Sequence, residues 1–431
     1  MEPVNVGIIG LGNVGMGAVS ILEENRVQIE EKLGFPLRVR RVCSRGVEAL
    51  AIPAHVIRST DWREVVQDPE VHIVAELIGG RSVAQEIVDA AIAARKSIVT
   101  ANKELMALCG AEIWDRAIAA RINIAMEASV AGGIPIHNVL REGISGDRVQ
   151  TLYGILNGTC NFILTEIERR GEPFDLILAE AQRAGYAEAD PSADIDGRDA
   201  CSKLAILSAL SFGERIVPGD IYTEGIRRIT PVDFEYAHQL HHTIRLIAAA
   251  RQTSAGLILS VRPSLIPQST ILASVRGAYN AVWVLGKYGA DTFYYGRGAG
   301  SLPTGVAVVS DLMRVAREIR SGSPERVSPF AHARLGKYKP ISITLHQSAY
   351  YLRFRVVDRP GIIAQLAAAL AAENISIDSV LQLPQANWRD LPFVITVEPA
   401  TEQSVRAAIA RMSELNFLIE PPLAMPMERS L

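Results

Sequence analysis

Three glycines near the N-terminus set the strongest limit on what this chain can fold into. They form Gly10-x-Gly12-x-x-Gly15, between an apolar run from Val4 to Ile9 and a helix-like stretch from Val14 onward. A strand, a glycine turn and a helix in that order form the setting in which this spacing holds a dinucleotide. Gly10 permits the tight turn, Gly12 lets a pyrophosphate approach the backbone, and Gly15 allows close helix packing. The helix start adds free N–H groups and the positive end of its dipole. Leu11, Asn13 and Val14 complete the expected cradle.

The pattern continues as alternating strands and helices. Strand-like runs recur at Leu37 to Cys43, Val71 to Ile78, Ser97 to Thr100 and Ile122 to Met126, with helices expected over Val83 to Arg95 and Glu104 to Arg121. Such alternation predicts an α/β fold: a Rossmann-type parallel sheet with helices on both faces. An acid at the end of the second strand would favour NAD, through the ribose 2′-hydroxyl. The chain reads "RVCSRG" there, so Ser44 and Arg45 can take a 2′-phosphate. NADP is therefore the expected cofactor, with NAD also possible. Thr100 ends a strand at the crevice where open sheets bind ligands, and Lys103 lies just beyond it in "TANK".

After about residue 135 the alternation loosens. Helical periodicity spans 199–212 and 233–252, with strands at Leu257 to Val261, Ile271 to Val275 and Ala281 to Val284. This predicts a second, α+β domain. "SGSPERVSPF" (321–330) reads as a linker. Beyond it the order is βαββαβ, with its last strand in "NFLIEPPL", a ferredoxin-like unit. The expected organisation is 1–134 for the dinucleotide domain, completed by about 301–320, then 135–300 for substrate binding and dimerisation. A linker (321–347) and a regulatory unit (348–431) follow.

A length of 431 residues suits two or three domains. The net charge of −3, with no basic block, argues against a nucleic-acid binder. The four cysteines form no CxxC pair, which fits a reducing cytoplasm. No signal peptide is read, and the longest apolar run near the C-terminus, Ile362 to Ala372, is too short to span a membrane.

"GYAEADPSADIDGRDACSK", from Gly185 to Lys203, packs Glu188, Asp190, Asp194, Asp196 and Asp199 into one short segment. A calcium loop would start at Ser192 and reach Asp194, Asp196 and Gly197 in register. Its twelfth position, which must be a carboxylate, is Lys203. The calcium reading fails on that residue. Asp199 and Lys203 instead stand at i and i+4, on one helix face. The pair reads either as a surface ion pair or as a site where the lysine gives a proton to a carbonyl. Asp190 and Asp196 suit turns. His238, His241 and His242 could share a metal by spacing, but no acid or cysteine nearby completes a set, so they read as a packed or solvated cluster. Cys160 reads as buried rather than reactive.

"GLGNVG", "TANK", "EASVAGGIP", "LNGTCNFIL", the acidic segment and "GAGSLPTGVAVVSDL" together resemble homoserine dehydrogenase, in that family's order over about residues 4–320. "DRPGIIAQLAAALAAENISIDSVLQ" resembles an ACT domain, so the chain is similar to the monofunctional, ACT-bearing form. The resemblance implies NAD(P)-linked interconversion of L-homoserine and L-aspartate 4-semialdehyde, in threonine, methionine and isoleucine biosynthesis. It implies Lys203 as proton donor and Lys103 as a second essential cation. It gives Glu188 and Asp199 the substrate ammonium and hydroxyl, with Asp194 close by and Asn157, Gly158 and Thr159 on the substrate-side loop. Gly185, Glu188, Lys103, Thr100 and Gly305 join the cofactor contacts. Glu127 and the carbonyls of Val130, Gly132 and Ile134 would hold a monovalent cation, sodium or potassium. In the ACT unit, Asp358 and Gly361 of the turn, with Asn374 and Gln382, would bind an effector, L-threonine by the logic of feedback. A homodimer or homotetramer is expected. Two alternatives stay open: a dehydrogenase of another small amino-acid semialdehyde, and a non-catalytic amino-acid sensor. The sensor would be expected to lose Lys103 or Lys203, and both are present.

Overall fold

The computed structural model describes residues 2–322, 331–383 and 387–428. Residues 323–330 of the expected linker lie outside the described residues. The chain divides into two compact units. One comprises Met1–Leu152, Ser202–Asp220 and Asn280–Lys339; the other comprises Tyr153–Cys201, Ile221–Tyr279 and Pro340–Leu431.

The first unit is built on six strands: β1 Val4–Ile9, β2 Leu37–Cys43, β3 Ile57–Ser59, β4 Ile73–Glu76, β5 Ser97–Thr100 and β6 Ile124–Ala125. Their order is β3-β2-β1-β4-β5-β6 and every neighbour is parallel. This is the doubly wound arrangement, with its switch point between β1 and β4. Every residue of β4 and β5 is buried, as strands covered by helices on both faces must be. The helix Asn13–Glu24 packs against Ser301–Arg320, so a distant part of the chain closes the layer. Glycine makes the contact possible. A Cβ on Gly17 would lie 2.3 Å from the Ser301 carbonyl oxygen, and one on Gly305 would lie 2.9 Å from the Gly17 carbonyl carbon. Val19, Leu22, Val308 and Leu312 fill the space around them.

The second unit holds a long antiparallel hairpin, His242–Thr253 and Gly256–Pro267. The periodicity reading made 233–252 one helix. The structure has a helix, Pro231–Gln239, opened by a Thr230/Asp233 capping box, and then the strand. His241, at φ 58°, turns the chain between them. "IRLIAAA" is buried on both faces, so it carries no period-two alternation that could reveal a strand. Ile271 to Val275, expected as a strand, forms the 3-10 turn Ile271–Ser274.

The C-terminal part follows the expected βαββαβ order: Gln347–Val356, Ile362–Ala372, Ile377–Leu381, Leu391–Thr401, Glu402–Met412 and Leu423–Met427. The last strand begins later than "NFLIEPPL" suggested, because Pro421 and Pro422 have no N–H to give a ladder. Leu423–Met427 pairs antiparallel with Gln347–Val356, and its Met427 pairs in parallel with Leu265. One sheet thus runs from the hairpin through Leu423–Met427 into Gln347–Val356, Leu391–Thr401 and Ile377–Leu381. Leu352, Phe354, Leu366, Leu370, Phe393 and Ile395 make the core beneath it.

Candidate active site

At the mouth of β1 the glycines take up the roles their spacing requires. Gly10 has φ +101°, and a Cβ there would lie 2.6 Å from the Leu77 backbone. A Cβ on Gly15 would lie 2.0 Å from the Gly10 carbonyl oxygen. Gly12 meets nothing within 4 Å, so its face is open. It also caps the helix Asn13–Glu24 without any side-chain hydrogen bond, which leaves the first N–H groups for a ligand. Leu11 is buried beneath the turn, Val14 is half-buried and Asn13 is exposed. The cradle fits a pyrophosphate. Arg45 is exposed just past the end of β2.

Beyond β4 and β5 lies a buried polar network. The Thr100 hydroxyl donates to Glu76 Oε2 at 2.6 Å, and the Ile78 N–H donates to Oε1 at 3.0 Å. The Asn102 N–H donates to Thr100 Oγ1, and its side-chain amide donates to the Gly80 carbonyl at 2.7 Å. Asn102 Oδ1 then caps the helix Lys103–Ala120 by accepting from the Leu105 N–H. Lys103 is therefore the first helical residue, exposed, just past a loop held from both sides. Burial pushes the Glu76 carboxyl up to about 7, against the pull of its three hydrogen-bond donors.

The "EASVAGGIP" turn forms a second cluster in the same unit. Ala131 and Gly132 both have left-handed φ, 55° and 46°, which curls the carbonyls of this stretch. Glu127, Val130 and Ile134 are buried. Glu127 accepts from the N–H groups of His137 (2.8 Å) and Asn138 (3.0 Å). Its own N–H donates to Asp311 at 2.8 Å. Burial, with Asp311 beside it, raises Glu127 to about 7, and burial also raises Asp311. Two buried carboxylates and a curl of carbonyls are a donor set suited to a hard cation. The buried His137 ring is held neutral, its pKa pushed down to about 3 by burial.

The acidic segment as far as Cys201 belongs to the second unit, and Asn157 organises it. Asn157 caps the helix Gly158–Arg170, its Oδ1 accepting from the Cys160 N–H. Its Nδ2 donates to Asp194 Oδ1 at 2.7 Å and to Asp199 Oδ2 at 2.8 Å. One amide thus gathers two carboxylates. Gly158 sits against the Ala278 carbonyl, where a Cβ would lie 3.0 Å away. Thr159 Oγ1 donates to the Tyr186 carbonyl at 2.6 Å, which ties down the start of the segment. Gly185, at φ +77°, turns the chain there, and Glu188 is exposed. Asp190 makes a local turn with the Ser192 N–H, whereas Asp196 pairs with Arg227 Nε at 2.6 Å. Asp199 is buried in the first turn of the helix Arg198–Phe212, and Lys203, 9% exposed, follows one turn later. Cys160 is fully buried, its thiol donating to the Asp194 carbonyl.

Residues 10–127 match the profile of the homoserine dehydrogenase NAD-binding domain, 135–313 that of homoserine dehydrogenase, and 350–414 that of the ACT domain. The homoserine dehydrogenase of Neisseria gonorrhoeae is 41% identical over the whole of both chains, and that of Pseudomonas aeruginosa is 40% identical over the whole of both. The chain belongs to the homoserine dehydrogenase family. A crystal structure of a homoserine dehydrogenase from Thiobacillus denitrificans superposes with a TM-score of 0.93, at 42% identity over 99% of this chain and 98% of that one. A hyperthermophilic archaeal homoserine dehydrogenase in complex with NADPH gives 0.63, at 26% identity over 73% of this chain and 98% of that one. The chain is thus an oxidoreductase with a nicotinamide-nucleotide domain, a mixed-sheet domain and an ACT domain.

Three buried groups in the first unit of this homoserine dehydrogenase-family chain escaped the sequence reading: Glu76, His137 and Asp311. Each lies in an apolar run or a regular helix, so no local pattern singles it out. A carboxylate in the fully buried strand β4 is the one signal that was available, since buried acids are rare. In the ACT domain, Gly361 has φ +91° and caps the helix Ile362–Ala372 without a side-chain bond. Asp358, Asn374 and Gln382 are exposed. The Asp358 N–H donates to the Trp388 carbonyl. His238 pairs with Glu168 at 3.1 Å, and among the described residues no group of three His, Cys, Asp or Glu side chains could hold a metal ion. No helix among the described residues is long and apolar enough to cross a membrane.

Proposed function

We propose that the chain interconverts L-aspartate 4-semialdehyde and L-homoserine with NADPH as the preferred hydride donor. The observation that carries the substrate is the Asn157 amide holding Asp194 and Asp199 together, one helical turn before Lys203. An α-amino acid brings an ammonium that needs carboxylates, and an aldehyde oxygen that needs a proton as its carbon is reduced. When bound, the reduced nicotinamide supplies the hydride to that carbon. Lys203 gives a proton from Nζ to the oxygen, which becomes the homoserine hydroxyl. Asp199 and Glu188 take the ammonium and hydroxyl, and Asp194 supports them, with Asn157, Gly158 and Thr159 shaping the loop. Lys103 supplies a second positive charge, which eases proton loss from Lys203.

Gly10 to Gly15 receive the pyrophosphate, and Arg45 takes the 2′-phosphate that distinguishes NADP. Thr100, Gly185 and Gly305 complete the cofactor's surroundings. Glu127, with the carbonyls of Val130, Gly132 and Ile134, holds sodium or potassium, which offsets the paired charge of Glu127 and Asp311. In the ACT domain, Asp358, Gly361, Asn374 and Gln382 receive L-threonine as a feedback effector of threonine, methionine and isoleucine synthesis. The chain works as a homodimer or homotetramer; the edge strand Ile377–Leu381, with Val380 exposed, offers a surface for pairing.

The test is loss of NADPH absorbance on addition of aspartate semialdehyde, in sodium, potassium or cation-poor buffer, with and without L-threonine. Turnover is expected, and its absence with NADPH bound would sink the assignment. Lys203→Ala should lower kcat by about 100-fold or more while NADPH still binds. Near-normal kcat in that variant would remove Lys203 from the chemistry.

A further inference from the structure

A cavity of about 360 Å³ in the second unit takes no part in the chemistry assigned above. One wall comes from residues 222–229 and the strand Gly256–Pro267. The other comes from the helix Glu402–Met412 and the strand Leu423–Met427 of the ACT domain. Arg262 lines it and is only 3% exposed. Its Nη1 donates to Glu402 Oε2 at 2.5 Å. Glu402 is then fully used: Oε2 also accepts from the Tyr350 hydroxyl at 2.6 Å, and Oε1 accepts from Arg406 Nε at 2.8 Å. The other carboxylates of the lining are engaged as well. Glu224 accepts from the Tyr222 hydroxyl, and Asp196 pairs with Arg227. Arg262 Nη2, by contrast, has no hydrogen-bond partner among the described residues.

A buried guanidinium nitrogen without an acceptor is costly, more so than a neutral group in the same position. The lining also has an excess of cations: Arg227, Arg228, Arg262 and Arg406 against Asp196, Glu224 and Glu402. We propose that this cavity binds a small organic carboxylate, whose oxygen accepts from Arg262 Nη2 and whose carbon chain lies along Val405 and Ile409. Arginine suits the task because its fork can hold Glu402 with one nitrogen and a ligand with the other. Nη2 is closed to water in this conformation, so one wall must move to admit the ligand. We assign that movement to Arg406, a lining residue whose side chain is 41% exposed and whose guanidinium rests 4.5 Å over the Tyr222 ring. The site is separate from the Asp358–Gly361 turn, and it stands whether or not that turn binds L-threonine.

The test is a ligand-observed NMR titration of the full chain with propionate and, in parallel, ethylammonium, which has a similar carbon frame and the opposite charge. Propionate should bind saturably and ethylammonium should not. Arg262→Lys keeps a cation for Glu402 but removes the second nitrogen, and Ile409→Trp fills the cavity without touching the guanidinium. Each should weaken propionate by about tenfold or more, with a melting midpoint near that of the parent as the check on folding. Equal binding of ethylammonium, no saturable binding of propionate, or propionate affinity unchanged in either folded variant would overturn the proposal.

Discussion

Asn157 performs three bonding tasks with one amide: it caps a helix through Oδ1 and holds two carboxylates through Nδ2. Aspartate in its place would keep the cap but set a third negative charge against Asp194 and Asp199. Asn157→Ala is expected to lower kcat/KM by about 10- to 100-fold, through loss of two charge-assisted hydrogen bonds. Asn157→Asp should lower it further, because the third carboxylate repels the other two. Steady-state kinetics at pH 8 check this, and an Asn157→Asp variant better than Asn157→Ala there would contradict it. Glu76 makes a different prediction. Its folded pKa, about 7, lies above the ordinary carboxylate value of 4.5, so the folded state holds its proton over that window. Its contribution to stability is complete below the unfolded pKa and is lost as pH rises through about 7. The shift corresponds to on the order of 3 kcal/mol. Glu76→Gln removes the titration, so melting midpoints of variant and parent should diverge between pH 5 and 8, with the variant ahead at the upper end. Parallel curves would show that Glu76 does not carry the slope.

Elements differ in how plainly their sequences announce them. The βα turn at Gly10 to Gly15 was legible because Gly10 and Gly15 answer steric demands that a Cβ cannot meet, while Gly12 leaves its face open. The ACT segment was legible because its helices carry one apolar face and its turns carry Pro and Gly. "TIRLIAAARQT" was not, because a strand buried on both faces and a buried helix show the same composition. The acidic segment could be recognised, but its division of labour could not: that Asp196 serves Arg227 while Asp194 and Asp199 share Asn157 depends on contacts 31 to 42 residues apart in the chain. Arg45 follows from its place at the end of β2, where a 2′-phosphate would lie in a doubly wound sheet. Arg45→Ala is therefore expected to raise KM for NADPH by about tenfold while KM for NADH changes little. Equal effects on both nucleotides would remove Arg45 from cofactor discrimination.

At the scale of the whole molecule, the ACT domain is built into the second unit's sheet. Leu423–Met427 bridges Gly256–Pro267 and Gln347–Val356. Buried ion pairs cross the same seam, among them Arg251 with Glu428 and Arg262 with Glu402. Neither arginine would keep its counter-charge without the C-terminal domain, so that domain contributes to folding as well as to any regulation. The Arg251 pair isolates the effect, because it lies away from the acidic cluster and from the Gly10–Gly15 turn in the chain and shares its bond with Tyr153 rather than with a substrate residue. Removing one partner of a buried pair typically costs about 3–5 kcal/mol, whereas replacing both with apolar residues is often neutral. Glu428→Met alone should thus lower the chemical-denaturation stability of the second unit by a few kcal/mol. Arg251→Met with Glu428→Met should recover most of that loss. If the double variant is no more stable than Glu428→Met, Arg251 is satisfied by other groups. The strand bridge, with the pairs Arg262–Glu402 and Arg353–Asp233, would then be what ties the ACT domain to the fold.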